Sequence, residues 1–495
     1  MMYGEEKSDS LIVAAKLANN PQGAESVERR SGAKGNAEQP HMRRTQSRES
    51  MSQRLSRVRE AAKQRKKERF TALFHLLTAE ALETAFFSLS RKAAAGVDGV
   101  RWKDYAENLK VNIADLHRRL HQGSYRAQPG RRHYIPKADG KQRPLGIASL
   151  EDKIVQYALV KILNAVYEND FMGFSYGFRP GRSQHNALDA LATGLVRTNV
   201  NWVLDADISQ FFDKVSHEWL IRFIEHRIGD QRVIRLIRKW LTAGTSEEGE
   251  WRASEEGTPQ GAVISPLLAN IYLHYVFDLW AHQWRRRHAT GNVVMVRYAD
   301  DIVIGFDKRI DAQCFRIAMQ RRLKEFGLTV HPKKTRLMEF GRFAAENRAS
   351  RGKGKPETFN FLGFTHISGK DRSGRFMLIR KTRRDRMTAT LKAIKDGLRK
   401  RWHYSIPEQG KWLRRVVQGY LNYHSVPGNY PMMRKFRIYV TDLWRRALRR
   451  RSQQDDTTWT KANRLAAVWL PKVRVLHPWP VERFTARHPR QEPGA

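Results

Sequence analysis

The stretch that most constrains the fold is residues 293–306, in which two short apolar runs flank the tripeptide Ala299-Asp300-Asp301. Both runs are rich in β-branched residues, so each predicts a strand and the pair predicts a hairpin. Two carboxylates at the tip of a buried hairpin repel each other at neutral pH, and a divalent cation shared with a third carboxylate would relieve that repulsion. The alternative is a solvated turn, since Asp is common in turns.

A second acidic segment favours the metal site over the solvated turn. Residues 202–213 read Trp-Val-Leu-Asp-Ala-Asp-Ile-Ser-Gln-Phe-Phe-Asp, which predicts a strand that runs into a turn. Asp205 and Asp207 share one face of this strand, because side chains alternate with period two. Asp207 lies at the exit of the strand, where a carboxylate can reach a metal ion. Asp205 or Asp213 could equally be a surface acid, and the pattern does not choose between them.

Composition indicates the class of partner. The 495 residues carry a net charge of +41, and the isoelectric point is about 10.6. A positive surplus of this size predicts a polyanionic partner, with nucleic acid as the first candidate and a non-catalytic basic binder as the alternative. The single cysteine, Cys314, excludes a disulfide framework and a zinc site built on paired cysteines.

The sequence predicts no association with a membrane. It has no run of 18 apolar residues, which a transmembrane helix would need. The apolar run at residues 11–15 is too short for the core of a signal peptide. We therefore expect a cytoplasmic location.

Charge and periodicity divide the chain into four predicted parts. Residues 1–66 form a basic extension that we expect to be disordered up to about residue 50, with a helix after residue 51 that is either a solvated charged helix or a basic arm on RNA. Residues 67–366 form the main domain. Residues 380–452 contain three amphipathic helices that should pack as a basic bundle. In the tail, 453–495, we expect a packed extension without helix from Lys461 onward.

Two further segments have compositions suited to phosphate or nucleic acid. Residues 134–147 predict a hairpin with Lys137, Lys141 and Arg143 at or beside its tip, where the cations either aid solubility or meet a triphosphate. Residues 174–183 mix aromatic rings with arginines, which suits stacking on a nucleic-acid strand but is a weak signal alone. Ser183 is expected to cap a helix over 184–197.

The order of elements predicts an α+β fold. A strand, helices, a hairpin, a helix and a further strand follow one another, which is the split βαβ pattern of a compact antiparallel sheet backed by helices. If the first strand pairs with the acidic hairpin, Asp207 comes to lie beside Asp300 and Asp301.

These blocks, in this order, resemble the group II intron reverse transcriptases, also called maturases, over roughly residues 70–452. The resemblance rests on Tyr298-Ala299-Asp300-Asp301, on Asp207 with Phe211-Phe212-Asp213, on Pro259-Gln260-Gly261, on Phe361-Leu362-Gly363-Phe364, on the N-terminal block at 93–100, and on residues 421–429, which look like the maturase thumb called domain X.

The resemblance implies a right-hand polymerase with fingers, palm and helical thumb. It implies that two Mg²⁺ ions are held by the carboxylates of Asp207, Asp300 and Asp301 with the backbone at Ile208. The incoming nucleotide would meet Lys137, Lys141, Arg143, Phe211, Phe212, Gln260 and Lys334, with Phe212 excluding a ribose 2′-hydroxyl. The primer grip would consist of Phe361, Leu362, Gly363 and Phe364.

The implied partners are an intron RNA template, a DNA primer and deoxynucleoside triphosphates, and a homodimer is left open. A C-terminal endonuclease with His and Cys pairs is not expected. Two alternatives share the resemblance: a maturase whose polymerase function is dispensable, and a reverse transcriptase recruited to defence or repair. The three acids argue against the first alternative, and the sequence cannot separate the second from an intron-borne enzyme.

Overall fold

The computed structural model describes residues 50–136, 142–247, 249–253, 256–451 and 457–487. Helices and mostly antiparallel sheets are mixed along the chain, so the predicted α+β class is confirmed. The helices are α1 (Met51–Gln64), α2 (Ala79–Ser88), α3 (Trp102–Glu107), α4 (Leu109–His121), α5 (Leu150–Tyr167), α6 (Gln184–Arg197), α7 (His217–Arg227), α8 (Gln231–Thr242), α9 (Ser265–Leu273), α10 (Leu279–His288), α11 (Arg309–Glu325), α12 (Ala344–Ala349), α13 (Arg384–Arg399), α14 (Ile406–His424), α15 (Tyr430–Arg449), α16 (Trp459–Trp469) and α17 (Pro480–Arg487).

The strands form three sheets. They are β1 (Gly130–Pro136), β2 (Gln142–Ile147), β3 (Trp202–Asp207), β4 (Thr245–Glu247), β5 (Glu250–Arg252), β6 (Val293–Tyr298), β7 (Asp301–Phe306), β8 (Arg336–Glu339), β9 (Phe359–Phe361), β10 (Phe364–Lys370) and β11 (Phe376–Thr382). Their orders are β2-β1-β4-β5, β6-β7-β3-β8 and β11-β10-β9.

The sheet β6-β7-β3-β8, which we call the central sheet, carries the acidic hairpin. Its strands are antiparallel, and β3 lies between β7 and β8, so the first acidic strand does pair with the acidic hairpin. The side chains of β6 from Val293 to Arg297 are buried, as are those of β7 from Ile302 to Phe306. Near-continuous burial explains why these strands consist of apolar runs rather than alternating residues.

Helices pack around the central sheet, and local hydrogen bonds fix where they begin. Helix α5 is buried on nearly every side, and Ser149 caps it by accepting a hydrogen bond from the Asp152 nitrogen at 3.2 Å. Residues 217–242 form two helices, α7 and α8, rather than one. The break occurs because Asp230 starts a new helix, where its carboxylate accepts from the Arg232 nitrogen at 3.1 Å.

The N-terminal helix is part of the main domain. Residues 1–49 lie outside the described residues. Helix α1 packs on α5 through Met51, Leu55 and Val58, and Ala62 is buried. The helix predicted after residue 51 is confirmed, but it is not a solvated helix or a separate arm, because an apolar stripe on this charged helix packs on the main domain.

The C-terminal helices have a hydrophobic core of their own. Helices α13, α14 and α15 pack together around Leu413, Val417, Phe436 and Val440, as their spacing predicted. The expectation that the tail lacks helix is wrong. Helix α16 begins where Thr458 accepts a hydrogen bond from the Lys461 nitrogen at 3.3 Å, and a second helix, α17, packs on α6.

Within the ranges that the structure describes, no helix has both the length and the apolar character needed to cross a bilayer.

Candidate active site

Three carboxylates meet at one end of the central sheet. Asp207, the last residue of β3, lies directly opposite Asp301, the first residue of β7. Asp300 occupies the two-residue turn between β6 and β7, and this turn is tight because Ala299 adopts a φ of +56°. Residues opposite one another in a sheet project from the same face. The structure thus brings together the three acids that the sequence singled out.

The electrostatics of this end favour a cation. Burial, together with the neighbouring acids Asp300, Asp207 and Asp205, raises the pKa of Asp301 to about 7. Burial likewise raises the pKa of Asp300, with Arg143 and Lys334 opposing the shift. Burial raises the pKa of Asp205 to about 6. Three coupled carboxylates carry more negative charge than their protein surroundings neutralise, and hard oxygen donors of this kind suit Mg²⁺.

Lys334 contacts the acids directly. Its Nζ lies 2.9 Å from the Oδ2 of Asp207 and forms a salt bridge with it. The loop is fixed there because the His331 nitrogen donates to the Asp207 carbonyl at 2.7 Å. Among the described residues, no three His, Cys, Asp or Glu side chains are already arranged as ligands of one metal ion. Lys334 is the cation that neutralises Asp207 in this arrangement.

A hydrogen-bonded chain lies beside the acids. The Nε of Arg143 donates to the Oε1 of Gln260 at 2.8 Å, and the Nε2 of Gln260 donates to Asp213 at 2.6 Å. The Gly146 nitrogen also donates to the Gln260 carbonyl at 2.7 Å, which holds β2 against the turn at 259–261. Lys137 and Lys141 lie outside the described residues.

The turn after β3 presents one aromatic ring and buries another. Gln210 adopts a φ of +47°, and a 3₁₀ turn, Phe211–Asp213, follows. Phe211 is buried, whereas Phe212 is half-buried and meets Phe211 edge-on at 5.3 Å. The side chain of Ile208 is also buried, so only its backbone could reach a ligand.

The segment 361–364 is a second tight hairpin. Leu362 and Gly363 both have positive φ, at 45° and 80°, between the paired residues Phe361 and Phe364. Both phenylalanine rings are buried. The hydroxyl of Tyr423, on α14, donates to the Leu362 carbonyl at 2.8 Å, so this hairpin is held by the helical C-terminal part of the chain.

One group that supports the site was missed at the sequence level. Arg297 is completely buried, and all five of its N–H donors are used. Its guanidinium contacts Asp278 at 2.7 and 2.6 Å, Ser175 at 2.7 Å, Asn270 at 3.2 Å and the carbonyl of Ala299 at 3.0 Å. The last contact fixes the backbone of the acidic turn.

A signal for this group was present in the sequence. Arg297 interrupts the apolar run of β6, and Asp278 interrupts the apolar helix region before it. A charge inside a buried element requires a buried partner. Periodicity could not show which charges would pair, because the π turn His274–Asp278 decides where Asp278 points.

Comparison with known families agrees with this geometry. Residues 135–366 match the family model described as reverse transcriptase (RNA-dependent DNA polymerase). That range contains the central sheet, the acidic turn and the Gln260 turn.

Several curated proteins are similar to the chain. It is 43% identical to Protein YkfC of Escherichia coli over 206 residues, which is 41% of this chain and 54% of that protein. It is 37% identical to the group II intron-encoded protein LtrA of Lactococcus lactis over 223 residues, or 44% and 37% of the two chains. It is 26% identical to the putative COX1/OXI3 intron 1 protein of Saccharomyces cerevisiae over 393 residues, or 66% and 46%. The chain thus spans about half or less of the length of these relatives. Residues 135–366, which carry the acidic turn, thus match the reverse transcriptase family, and the chain is similar to proteins described as encoded by group II introns.

Proposed function

We propose that this chain is an RNA-directed DNA polymerase that copies its intron RNA into DNA and assists the splicing of that RNA. The observation that carries the proposal is the register that sets Asp207 opposite Asp301, with Asp300 in the adjoining turn. Three carboxyl groups that lie close together have little structural use at the end of a sheet, since each disfavours the charged form of its neighbours. They suit a reaction in which negative charge builds up on phosphate oxygens.

The carboxylates of Asp207, Asp300 and Asp301, with the Ile208 backbone, would hold two Mg²⁺ ions. Ions bound there would lower the pKa of a primer 3′-hydroxyl and neutralise the leaving pyrophosphate. The residues fit this role because their charge is incompletely balanced by protein groups. Lys334 would exchange its partner Asp207 for a phosphate oxygen when the site is filled, since Lys acts as a mobile point charge.

The groups beside the acids would orient the nucleotide. Arg143 lies near enough to Asp300 to oppose the rise in its pKa that burial causes. It would bind the triphosphate together with Lys137 and Lys141. Gln260, already held by Arg143 and Asp213, would contact the templating base pair. Phe212 would lie under the deoxyribose, where its ring leaves no room for a 2′-hydroxyl.

The architecture supports a right-hand polymerase. The central sheet would be the palm, the helices and hairpin from α2 to β2 the fingers, and α13, α14 and α15 the thumb. The hairpin at 361–364 would grip the primer. Between residues 380 and 451 there are twenty-one Lys or Arg against four Asp or Glu. A surface with this positive charge suits the binding of nucleic-acid phosphates, including those of the intron RNA. A homodimer stays a prediction.

The test of the polymerase proposal is template-dependent incorporation of deoxynucleotides with Mg²⁺. The double variant Asp300→Asn/Asp301→Asn should abolish primer extension on an RNA template, because it removes the charge that would hold the metal ions. Its RNA affinity should stay near that of the wild type. Glu107→Gln, which removes an exposed acid on α3, serves as the matched control. Full-length cDNA from the double variant would contradict the proposal.

The role of Phe212 has a separate test. Phe212→Ala should admit ribonucleoside triphosphates, because the ring that excludes the 2′-hydroxyl is gone. The measurement is the ratio of ribonucleotide to deoxynucleotide incorporation on one template. Phe343→Ala is the control, since Phe343 is exposed and follows β8 at the end of the central sheet opposite the acids. An unchanged ratio in Phe212→Ala would remove this residue from its assigned role.

A further inference from the structure

Strained backbone clusters around the acids. Among the described residues, four that are not glycine have positive φ: Phe178, Gln210, Ala299 and Leu362. The last three belong to the turns already described. Phe178, at 57°, belongs to none of them. A bulky residue in the left-handed region is a true outlier, and such outliers gather at functional sites.

The backbone around Phe178 is fixed from both sides. A Cβ at Gly177 would overlap the Ala299 nitrogen, so the chain here packs directly on the acidic turn. Asn270 donates to the Gly177 carbonyl at 2.7 Å. On the other side, the buried Arg179 donates to the carbonyl of Ser175 at 2.8 Å and pairs with a glutamate at 3.0 Å. The strain at Phe178 is therefore imposed by its surroundings.

The result of this strain is an exposed ring. Phe178 is 52% exposed, although relaxation of its backbone and burial of its ring would both favour the folded state. The ring lies 6.2 Å from that of Tyr298, the residue paired with Asp301 across the hairpin. Phe178, Tyr298, Asp301 and Asp207 therefore follow one another along one edge of the site.

The residues that follow Phe178 in the chain show which part of the site its ring faces. The ring of His185, at the start of α6 and seven residues after Phe178, lies 5.1 Å from that of Tyr423. Tyr423 is the residue that holds the Leu362 carbonyl, in the hairpin that we assign to the primer. The segment that carries Phe178 therefore runs from the acidic turn, which Gly177 contacts, toward the primer-grip hairpin. Arg143 and Gln260, the groups assigned to the nucleotide, belong to a separate hydrogen-bonded chain.

We propose that Phe178 is a positioning residue whose exposed ring packs against the deoxyribose of the primer strand near its 3′ end. The inference rests on the proposed polymerase function. An apolar ring on a rigid, strained backbone can contact every primer equally, because each sugar offers the same apolar face. Such a contact would fix the height of the primer terminus above the acidic turn.

The strain itself provides the means to test this role. Phe178→Ala removes the ring and keeps the unfavourable φ, whereas Phe178→Gly removes the ring and relieves the strain. The Gly variant should unfold at a temperature at least as high as the Ala variant, so a loss common to both reports on the ring. Phe343→Ala is the matched control, because Phe343 is 41% exposed and follows β8 at the opposite end of the central sheet.

Two measurements are needed. The first is the affinity for a labelled RNA–DNA template–primer, by fluorescence anisotropy in Ca²⁺; the second is the KM for template–primer and for deoxynucleotide in Mg²⁺. Both ring-less variants should bind template–primer about tenfold more weakly and raise its KM by a similar factor. The KM for deoxynucleotide should stay within about twofold, and Phe178→Tyr should restore binding.

The outcome that overturns the inference is wild-type affinity and KM in both ring-less variants, or an equal loss in Phe343→Ala. A wild-type protein that binds template–primer but incorporates no nucleotide would refute the polymerase proposal instead. The anisotropy measurement would still decide whether Phe178 contacts the duplex.

Discussion

Two buried arginine clusters, one under the acidic turn and one at the junction with the C-terminal helices, are built differently. In the first, Arg297 shares both oxygens of the buried Asp278, and three further acceptors use its remaining donors. One cation meets one anion, and every donor is satisfied. A network of this kind allows a single arrangement of the turn that carries Asp300.

The second cluster joins α6, β11 and α17 and places two arginines around one carboxylate, that of Asp189. Arg483 Nε donates to one oxygen of Asp189. The Nη1 of Arg380 lies 3.6 Å from the other oxygen, which is too far for a well-formed hydrogen bond. Burial lowers the pKa of Arg380 to about 10. Positive charge is in excess here, and part of the donor set is not used.

The difference between the two clusters corresponds to a difference in what each one holds in place. A saturated, neutral network holds the residues that need a fixed geometry for chemistry. An incompletely satisfied cluster holds the elements that connect the central sheet to the helical C-terminal part. We expect the first cluster to respond strongly to any single change and the second to respond according to the charge removed.

The largest effect is expected at the saturated cluster. Arg297→Met leaves Asp278 buried without a partner and should lower the free energy of unfolding by about 3–5 kcal/mol. The measurement is urea unfolding followed by circular dichroism. Arg297→Met/Asp278→Leu should recover much of this loss, because it removes both charges. A single variant within about 1 kcal/mol of the wild type would show that the cluster does not support the fold.

A smaller effect is expected from acid at the second cluster. His366 is buried directly opposite Arg380 in the β10–β11 pair, and burial and Arg380 lower its pKa to about 3. Below about pH 6.5 the His366 imidazole becomes protonated in the unfolded chain but stays neutral in the folded chain. The free energy of unfolding therefore has its full value above that pH and falls as the pH decreases. Between pH 7 and pH 5 this histidine should cost about 2 kcal/mol.

The control for the acid effect is His366→Phe, which keeps a ring against Phe359 and removes the titrating group. Unfolding by urea at several pH values should show a flatter dependence for this variant than for the wild type. Equal pH dependence of the two proteins would assign the acid sensitivity to other groups.

The smallest effect is expected from Arg483. Arg483→Met leaves Arg380 and Asp189 as a balanced pair, so the loss should be only about 1 kcal/mol, the value of a hydrogen bond. Asp189→Asn is the contrasting variant, because it leaves two cations without their anion and should cost more. Thermal unfolding of the two variants decides the point: if Arg483→Met is the more damaging, the cluster is not limited by excess positive charge.

The sequence predicted the parts of the site that follow from local patterns. Alternation and β-branched runs predicted β3, β6 and β7, and the order of elements predicted that Asp207 would lie beside Asp300 and Asp301 if β3 paired with the hairpin. The three helices of the C-terminal bundle followed from their periodicity. The helical tail was missed, although Thr458 caps the start of α16 and Pro480 begins α17.

What only the tertiary structure decided was the pairing of charges and the direction of strained residues. Arg297 and Asp278 are 19 residues apart, and Arg483 and Asp189 are 294 apart. No local sequence pattern selects such ion pairs, because the pairing depends on which buried cation and which buried anion the fold brings together. The left-handed backbone at Phe178 likewise follows from the packing of Gly177 on the acidic turn. Local sequence thus determined which elements form and where the acids stand, whereas long-range packing determined what holds them in place.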